Sequence, residues 1–226
     1  MNWLMSFFAS SIGRKWIMSL TGLFLILFLL VHLSGNLQLL IDDQGEKFNK
    51  YAKFMTTNPL IKFVSISNYI FILLHAIQGL IIWSKNRKAK GSQYAVASTG
   101  TSSFASRHMA GLGIVILLFI LIHLWQFWFQ MKFGHLELAA YDGYDPIKNL
   151  YIPVAYAFSQ WWYVSFYVVC MGVIAIHLWH GFQSAFQTLG LNHKKYTPLI
   201  RFLGKAYSAV IPLGFAVIPV FFYLFR

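Results

Sequence analysis

The sequence predicts an all-α integral membrane protein whose five transmembrane helices form one domain. Three observations predict it. Of 226 residues, 58% are hydrophobic and 11% charged, a balance too apolar for a soluble domain of this size. Uncharged windows recur at 16–41, 63–84, 109–131, 149–193 and 206–225, each long enough to supply the roughly 20 residues that cross about 30 Å of hydrocarbon. Lys and Arg gather between alternate windows, as they do in membrane proteins of fixed orientation.

Taken in order, "MNWLMSFFASSIGRK" is no cleavable signal, because its basic pair follows the apolar stretch. It reads as an interfacial lead-in with Trp3, Phe7 and Phe8 at the headgroups. The first helix covers 16–41. After it, Lys47, Lys50 and Lys53 alternate with Phe48, Tyr51, Ala52, Phe54 and Met55 at helical spacing. That is an amphipathic interfacial helix stopped before Pro59. The second helix covers 61–84, and a basic, then small and polar connector leads to the third at 108–131. The next loop has turn signals at Asp142-Gly143 and Asp145-Pro146. The fourth window exceeds one span, so its helix is placed at 160–187, after Pro153; the fifth covers 205–225. The sole cysteine, Cys170, is read as a small buried hydrophobe.

Charge fixes the orientation. Arg14, Lys15, Lys85, Arg87, Lys88, Lys90, Arg107, Lys194, Lys195, Arg201 and Lys205 fall on one side with no acid. All six acids, Asp42, Asp43, Glu46, Glu137, Asp142 and Asp145, fall on the other. The positive-inside rule puts the N-terminus in the cytoplasm and the C-terminus outside. The net charge of +12 is thus a matter of topology, and of docking to membrane lipid or acidic partners. It is not a nucleic-acid signature. The loops are too short for a catalytic domain and contain no phosphate-binding glycine loop, so the chemistry belongs between the helices.

There the informative residues are histidines. His32, His75 and His123 stand in the first three helices, and His177 and His180 in the fourth. Imidazole in hydrocarbon requires partners for its ring nitrogens. At about 1.5 Å per residue, His32 and His123 lie about 26 and 24 Å from the cytoplasmic edge, and His75 and His177 about 15 and 20 Å. Four ligands on two levels do not converge on one zinc ion. They suit two haems, each clamped by two axial imidazoles. The competing reading is a proton or ion pathway, which ordinarily recruits intramembrane carboxylates, and these spans have none. Gly22 and Gly113 fall near the inner level on the helices that do not ligate there, leaving room for a macrocycle edge. Gly79 and Gly181 follow His75 and His177 by four residues. His180, one turn nearer the cytoplasm, and His108, beside Arg107, are candidates for contact with haem propionates. His135 and His193 lie in loops and receive no role.

The stretches "LLVHLSGN", "LLHAIQG", "RHMAGLGIVILLFILIHLW" and "IHLWHGFQSAF", in this order and at these depths, resemble the dihaem cytochrome b membrane anchors of succinate:quinone oxidoreductases, the succinate dehydrogenase and fumarate reductase family. The resemblance spans residues 12 to 225. It implies two haem b, the distal one on His32 and His123 and the proximal one on His75 and His177. A glycine four residues after the fourth ligand favours His177, with Gly181, over His180. It further implies a flavoprotein subunit and an iron–sulfur subunit on the cytoplasmic face, a bacterial cytoplasmic membrane, and a quinone, often menaquinone, as the redox partner. Dicarboxylate chemistry would then belong to another subunit. One departure stands out: residues 160–187 carry no carboxylate, so the quinone's protons fall to Asp42, Asp43, Glu46 or Glu137, with Glu46 first. A haem b subunit of a hydrogenase or formate dehydrogenase, and a non-haem transporter, are the alternatives.

Overall fold

In hydrocarbon, backbone N–H and C=O groups have only each other for partners, and a helix satisfies them within one segment. Five helices long and apolar enough to cross a membrane result: Ser11–Leu40, Pro59–Lys88, Arg107–Phe133, Trp161–Thr188 and Thr197–Phe225. The computed structural model describes residues 3–89 and 104–226. The connector expected between the second and third spans falls largely, at 90–103, outside the described residues. The chain is an all-α, multi-pass membrane protein.

Helix α1 is Trp3–Ala9 and α2 is Ser11–Asn36, extended by a 3-10 turn at Leu37–Leu40. Ser10 caps α2 by accepting from the Gly13 N–H at 3.0 Å. Helix α3 is Glu46–Thr57, stopped at Asn58, and α4 is Pro59–Ala89. The third span is composite: α5, Phe104–His123, then a π-helical stretch, Leu124–Phe129, then α6, Gln130–Phe133. A hairpin pairs β1, Leu138–Ala139, with β2, Ile147–Lys148. It turns through Gly143, whose φ is +75°. Helix α7, Tyr151–Phe158, precedes α8, Trp161–Thr188, and α9, Thr197–Phe225.

Three boundaries differ from the sequence expectation. The first and second spans start earlier, at Ser11 and Pro59 instead of 16 and 61. The fifth starts at Thr197 instead of 205, taking Arg201 and Lys205 into the helix. Charge counting ends a span too soon, because long cationic stems lie along the helix while their heads reach water. Pro198, in the first turn, lacks only an N–H that has no intrahelical partner there. The long fourth window resolves into α7 and α8, separated by a break at Ser159–Gln160.

Around the bundle, α2 packs against α4, α4 against α5, α5 against α8, and α8 against α2. Helix α9 lies outside this square, against α8 and α2. There the Tyr207 hydroxyl donates to the carbonyl of Ile26. The outward surface is apolar, with Leu27, Leu73, Leu121, Val169 and Leu213 exposed, as lipid-facing positions should be. The core is aromatic: Phe119, Phe127, Phe158, Tyr163, Tyr167 and Phe222 are buried together.

One end of the bundle is closed by α3 and the hairpin. Asn49 of α3 is 1% exposed. Its Nδ2 donates to the Tyr141 hydroxyl and to Asn149 Oδ1, both at 2.8 Å. Its Oδ1 accepts from the N–H groups of Leu150 and Tyr151, at 3.0 and 3.2 Å. It thereby satisfies the first turn of α7. Replacing Asn49 with Leu leaves these buried groups unpaired, at about 1–3 kcal/mol each before relaxation. Thermal unfolding of the purified variant should show a lower Tm than the parent. Lys148 Nζ donates to the carbonyls of Met131 and Gly134, at 2.9 and 3.3 Å, closing the end of the third span. Arg226 pairs with Asp42 at 2.8 Å, so the C-terminus and the first loop share this end.

Candidate functional site

Four helices in a square have two diagonals, and each carries one pair of histidines. With neighbouring axes about 8–10 Å apart, a diagonal is about 11–14 Å long, so only long side chains meet across it. His32 of α2 and His123 of α5 approach with ring centroids 5.8 Å apart and planes at 88°. His75 of α4 and His177 of α8 approach at 6.3 Å and 68°. In the fourth helix it is His177 whose ring meets His75. His180 lies half-buried one turn further along α8, and His108 is exposed near the start of α5.

The two pairs occupy different levels. His32 stands eight residues before Leu40, and His123 ten before Phe133, at the end closed by α3. His75 and His177 each stand sixteen residues from that end, counted from Pro59 and Trp161. The separation is about 9–12 Å along the bundle.

Polar side chains meet the Nδ1 atoms of three of the four rings: Thr21 at His75, Tyr167 at His123 and, at 3.4 Å, Asn36 Nδ2 at His32. Thr21 is buried, and its hydroxyl donates to the carbonyl of Ile17 at 2.7 Å. Toward His75 Nδ1, 3.2 Å away, Oγ1 is therefore the acceptor. This makes Nδ1 the protonated nitrogen of His75 and leaves Nε2 as a bare lone pair, the tautomer a metal requires. The Tyr167 hydroxyl occupies Nδ1 of His123 at 3.0 Å. His32 stacks on Phe28, with centroids 5.1 Å apart. Asn36 Nδ2 donates to the His32 carbonyl at 2.7 Å. His177 Nδ1 is buried and has no hydrogen-bond partner among the described residues.

A haem fits this donor set. A metal–imidazole bond of about 2 Å, with about 1 Å more to each ring centre, sets two axial imidazoles about 6 Å apart, as both pairs are. Direct ring contact gives similar spacing. Among the described residues no three His, Cys, Asp or Glu side chains converge. A metal held by two imidazoles would need its remaining ligands from a bound group such as a porphyrin. Gly22 adds a steric observation, since a Cβ there would stand 3.2 Å from His75 Cε1. At Gly79 and Gly181 a Cβ would meet the methyls of Met18 and Met109 at 3.3 and 3.6 Å, while Gly113 borders open space.

Glu46, the candidate for proton exchange, sits in the first turn of α3 and accepts from Lys50 at 2.5 Å. Sequence reasoning missed Thr21, Tyr167 and the π-helical stretch. A buried Thr beside a glycine is the only signal that pointed to Thr21. Nothing in the sequence marks the π geometry, which begins at the residue after His123 and is frequent at functional sites. Also missed was Asn68 Oδ1, buried with no hydrogen-bond partner among the described residues.

Compared with protein families, curated proteins and solved structures, the chain matches none.

Proposed function

We propose that this protein is the dihaem cytochrome b subunit of a succinate:quinone oxidoreductase in a bacterial cytoplasmic membrane, with its N-terminus in the cytoplasm. The observation that carries the reading is the pairing of four histidines across two diagonals at two levels. His32 and His123 would hold an outer haem b, and His75 and His177 an inner one. When bound, a haem with both axial positions filled by imidazole supplies one-electron transfer and no open site for oxygen. The chain's own residues orient and insulate. Thr21 and Tyr167 hold the Nδ1 sides of His75 and His123, and Phe28, Phe119 and Phe127 keep water from the outer pair. His180 and His108 lie toward the basic end, where propionates and the flavoprotein and iron–sulfur subunits would be met. Quinone, with menaquinone the first choice, would react at the outer end, where all the acids are.

Two measurements test the reading together. A pyridine haemochrome assay should give two haem b per chain, and affinity purification from native membranes should bring down a flavoprotein and an iron–sulfur subunit. No haem would leave a transporter or a bare anchor. Haem with a nickel or molybdenum subunit would assign the chain to a hydrogenase or formate dehydrogenase.

Proton exchange at a quinone oxygen needs a group that titrates or reaches water. Glu46→Gln should lower quinone-linked turnover about tenfold or more, leaving haem content and reduction of artificial acceptors unchanged. Equal quinone activity in the variant would clear Glu46 of the role.

A further inference from the structure

The end of the bundle opposite α3 has a cleft that the haem reading does not use. It holds about 660 Å³ and is lined by His193, Lys194, Arg201, Phe202 and Lys205, among others. Its wall is built: Thr197 Oγ1 donates to Asn192 Oδ1 at 2.8 Å and accepts from the His193 N–H at 2.9 Å. His193 Nδ1 accepts from the Lys195 N–H at 3.2 Å, and its ring stacks on Tyr196.

The cations here have no carboxylate of their own. No Asp or Glu follows Asp145 in the sequence, and both ion pairs among the described residues, Lys50–Glu46 and Arg226–Asp42, are at the other end. Lys205 is the telling residue. It stands eight residues into α9, about 12 Å below the start of the span. Its Nζ lies 5.6 Å from the ring centroid of Trp179, which is itself nine residues before the end of α8 and so also inside the span. A cation there snorkels toward headgroup level, where an anion would meet it, and a Trp face offsets only part of its desolvation. Arg201 is one turn above on the same face. Below them Val210, Leu213 and Val217 are exposed on α9, an apolar strip that continues toward the bilayer interior.

From this arrangement we infer that the cleft binds the phosphodiester headgroup of an anionic phospholipid, held by Arg201 and Lys205, with its acyl chains along Val210, Leu213 and Val217. The depth of Lys205 favours lipid over an acidic protein. A lipid phosphate enters at headgroup level with its chains below it, whereas a docking protein meets only the helix ends. The inference is independent of haem.

The test is native mass spectrometry of the purified protein with its co-purifying subunits, titrated with phosphatidylglycerol, phosphatidylcholine or inorganic phosphate. Phosphatidylglycerol should be retained in preference to phosphatidylcholine. Arg201→Gln with Lys205→Gln should weaken its binding about 30-fold, from roughly fivefold per cation near a membrane surface. Lys205→Arg should bind as the parent does. Lys85→Gln with Lys88→Gln removes the same charge at the end of α4 and should leave binding intact. Equal retention of phosphatidylcholine, or equal loss in the Lys85 and Lys88 variant, would overturn the proposal. So would displacement of phosphatidylglycerol by stoichiometric inorganic phosphate, which would mark a free-anion site. An acidic protein held through Arg201 and Lys205 to the exclusion of lipid would overturn it as well.

Discussion

Replacing His75 or His177 with alanine is expected to halve the haem content, from two per chain to one, and to leave the outer centre in place. On the proposed reading each ring would supply one of two axial bonds. The two variants should therefore lose the same spectral component, because they break the same pair from opposite corners of the square. His32→Ala and His123→Ala should lose the other component. His180→Ala should retain both, since its ring lies one turn from the meeting point. Reduced-minus-oxidised spectra of the five purified variants check this. A His75 variant and a His177 variant that lose different components would refute the diagonal pairing. Full haem content in all five would refute ligation altogether.

Gly22 gives an independent handle on the inner level. A side chain there must displace His75, because a Cβ alone would come within 3.2 Å of Cε1. A variant with a bulky residue at 22 keeps all four histidines yet moves one of them.

Much of this arrangement was legible in the sequence. Depth along a helix follows from residue number alone, so the two levels could be read from distances to the flanking cations. Which helix faces which could not. Contact across the diagonals depends on helix order around the bundle, and a hydropathy pattern that is apolar all round gives no direction. The α9 start was misplaced for a related reason. Arg201 and Lys205 read as a loop because charge was taken to exclude a residue from the span, whereas their stems let them sit on it. The amphipathic segment before Pro59 was legible because it alternates charge with aromatics. Its anchor, Asn49, was not, since a buried Asn looks like any polar loop residue until its four partners are assembled. The partners of the histidine rings were hidden similarly. Thr21 and Tyr167 are ordinary membrane-helix residues, and only the folded chain brings each to an Nδ1 atom.

Those two partners lead to the second large effect. A ligating imidazole binds through one nitrogen and is held by the other. Loss of the second contact frees the ring to rotate and to take the wrong tautomer. Thr21→Val preserves shape and removes the hydroxyl acceptor at His75 Nδ1. Tyr167→Phe removes the hydroxyl that meets His123 Nδ1. Each should weaken haem retention about 10–100-fold, and each only at its own level: Thr21→Val at the inner, Tyr167→Phe at the outer. His177 has no Nδ1 partner among the described residues, so the inner centre has this support at His75 only, where the Met18 carbonyl lies beside Thr21 as a second acceptor. Haem transfer to apomyoglobin, followed by absorbance for the parent and both variants, separates the two levels by their reduced spectra. Equal haem loss rates in the parent and both variants would show that these hydroxyls serve helix packing and not the rings.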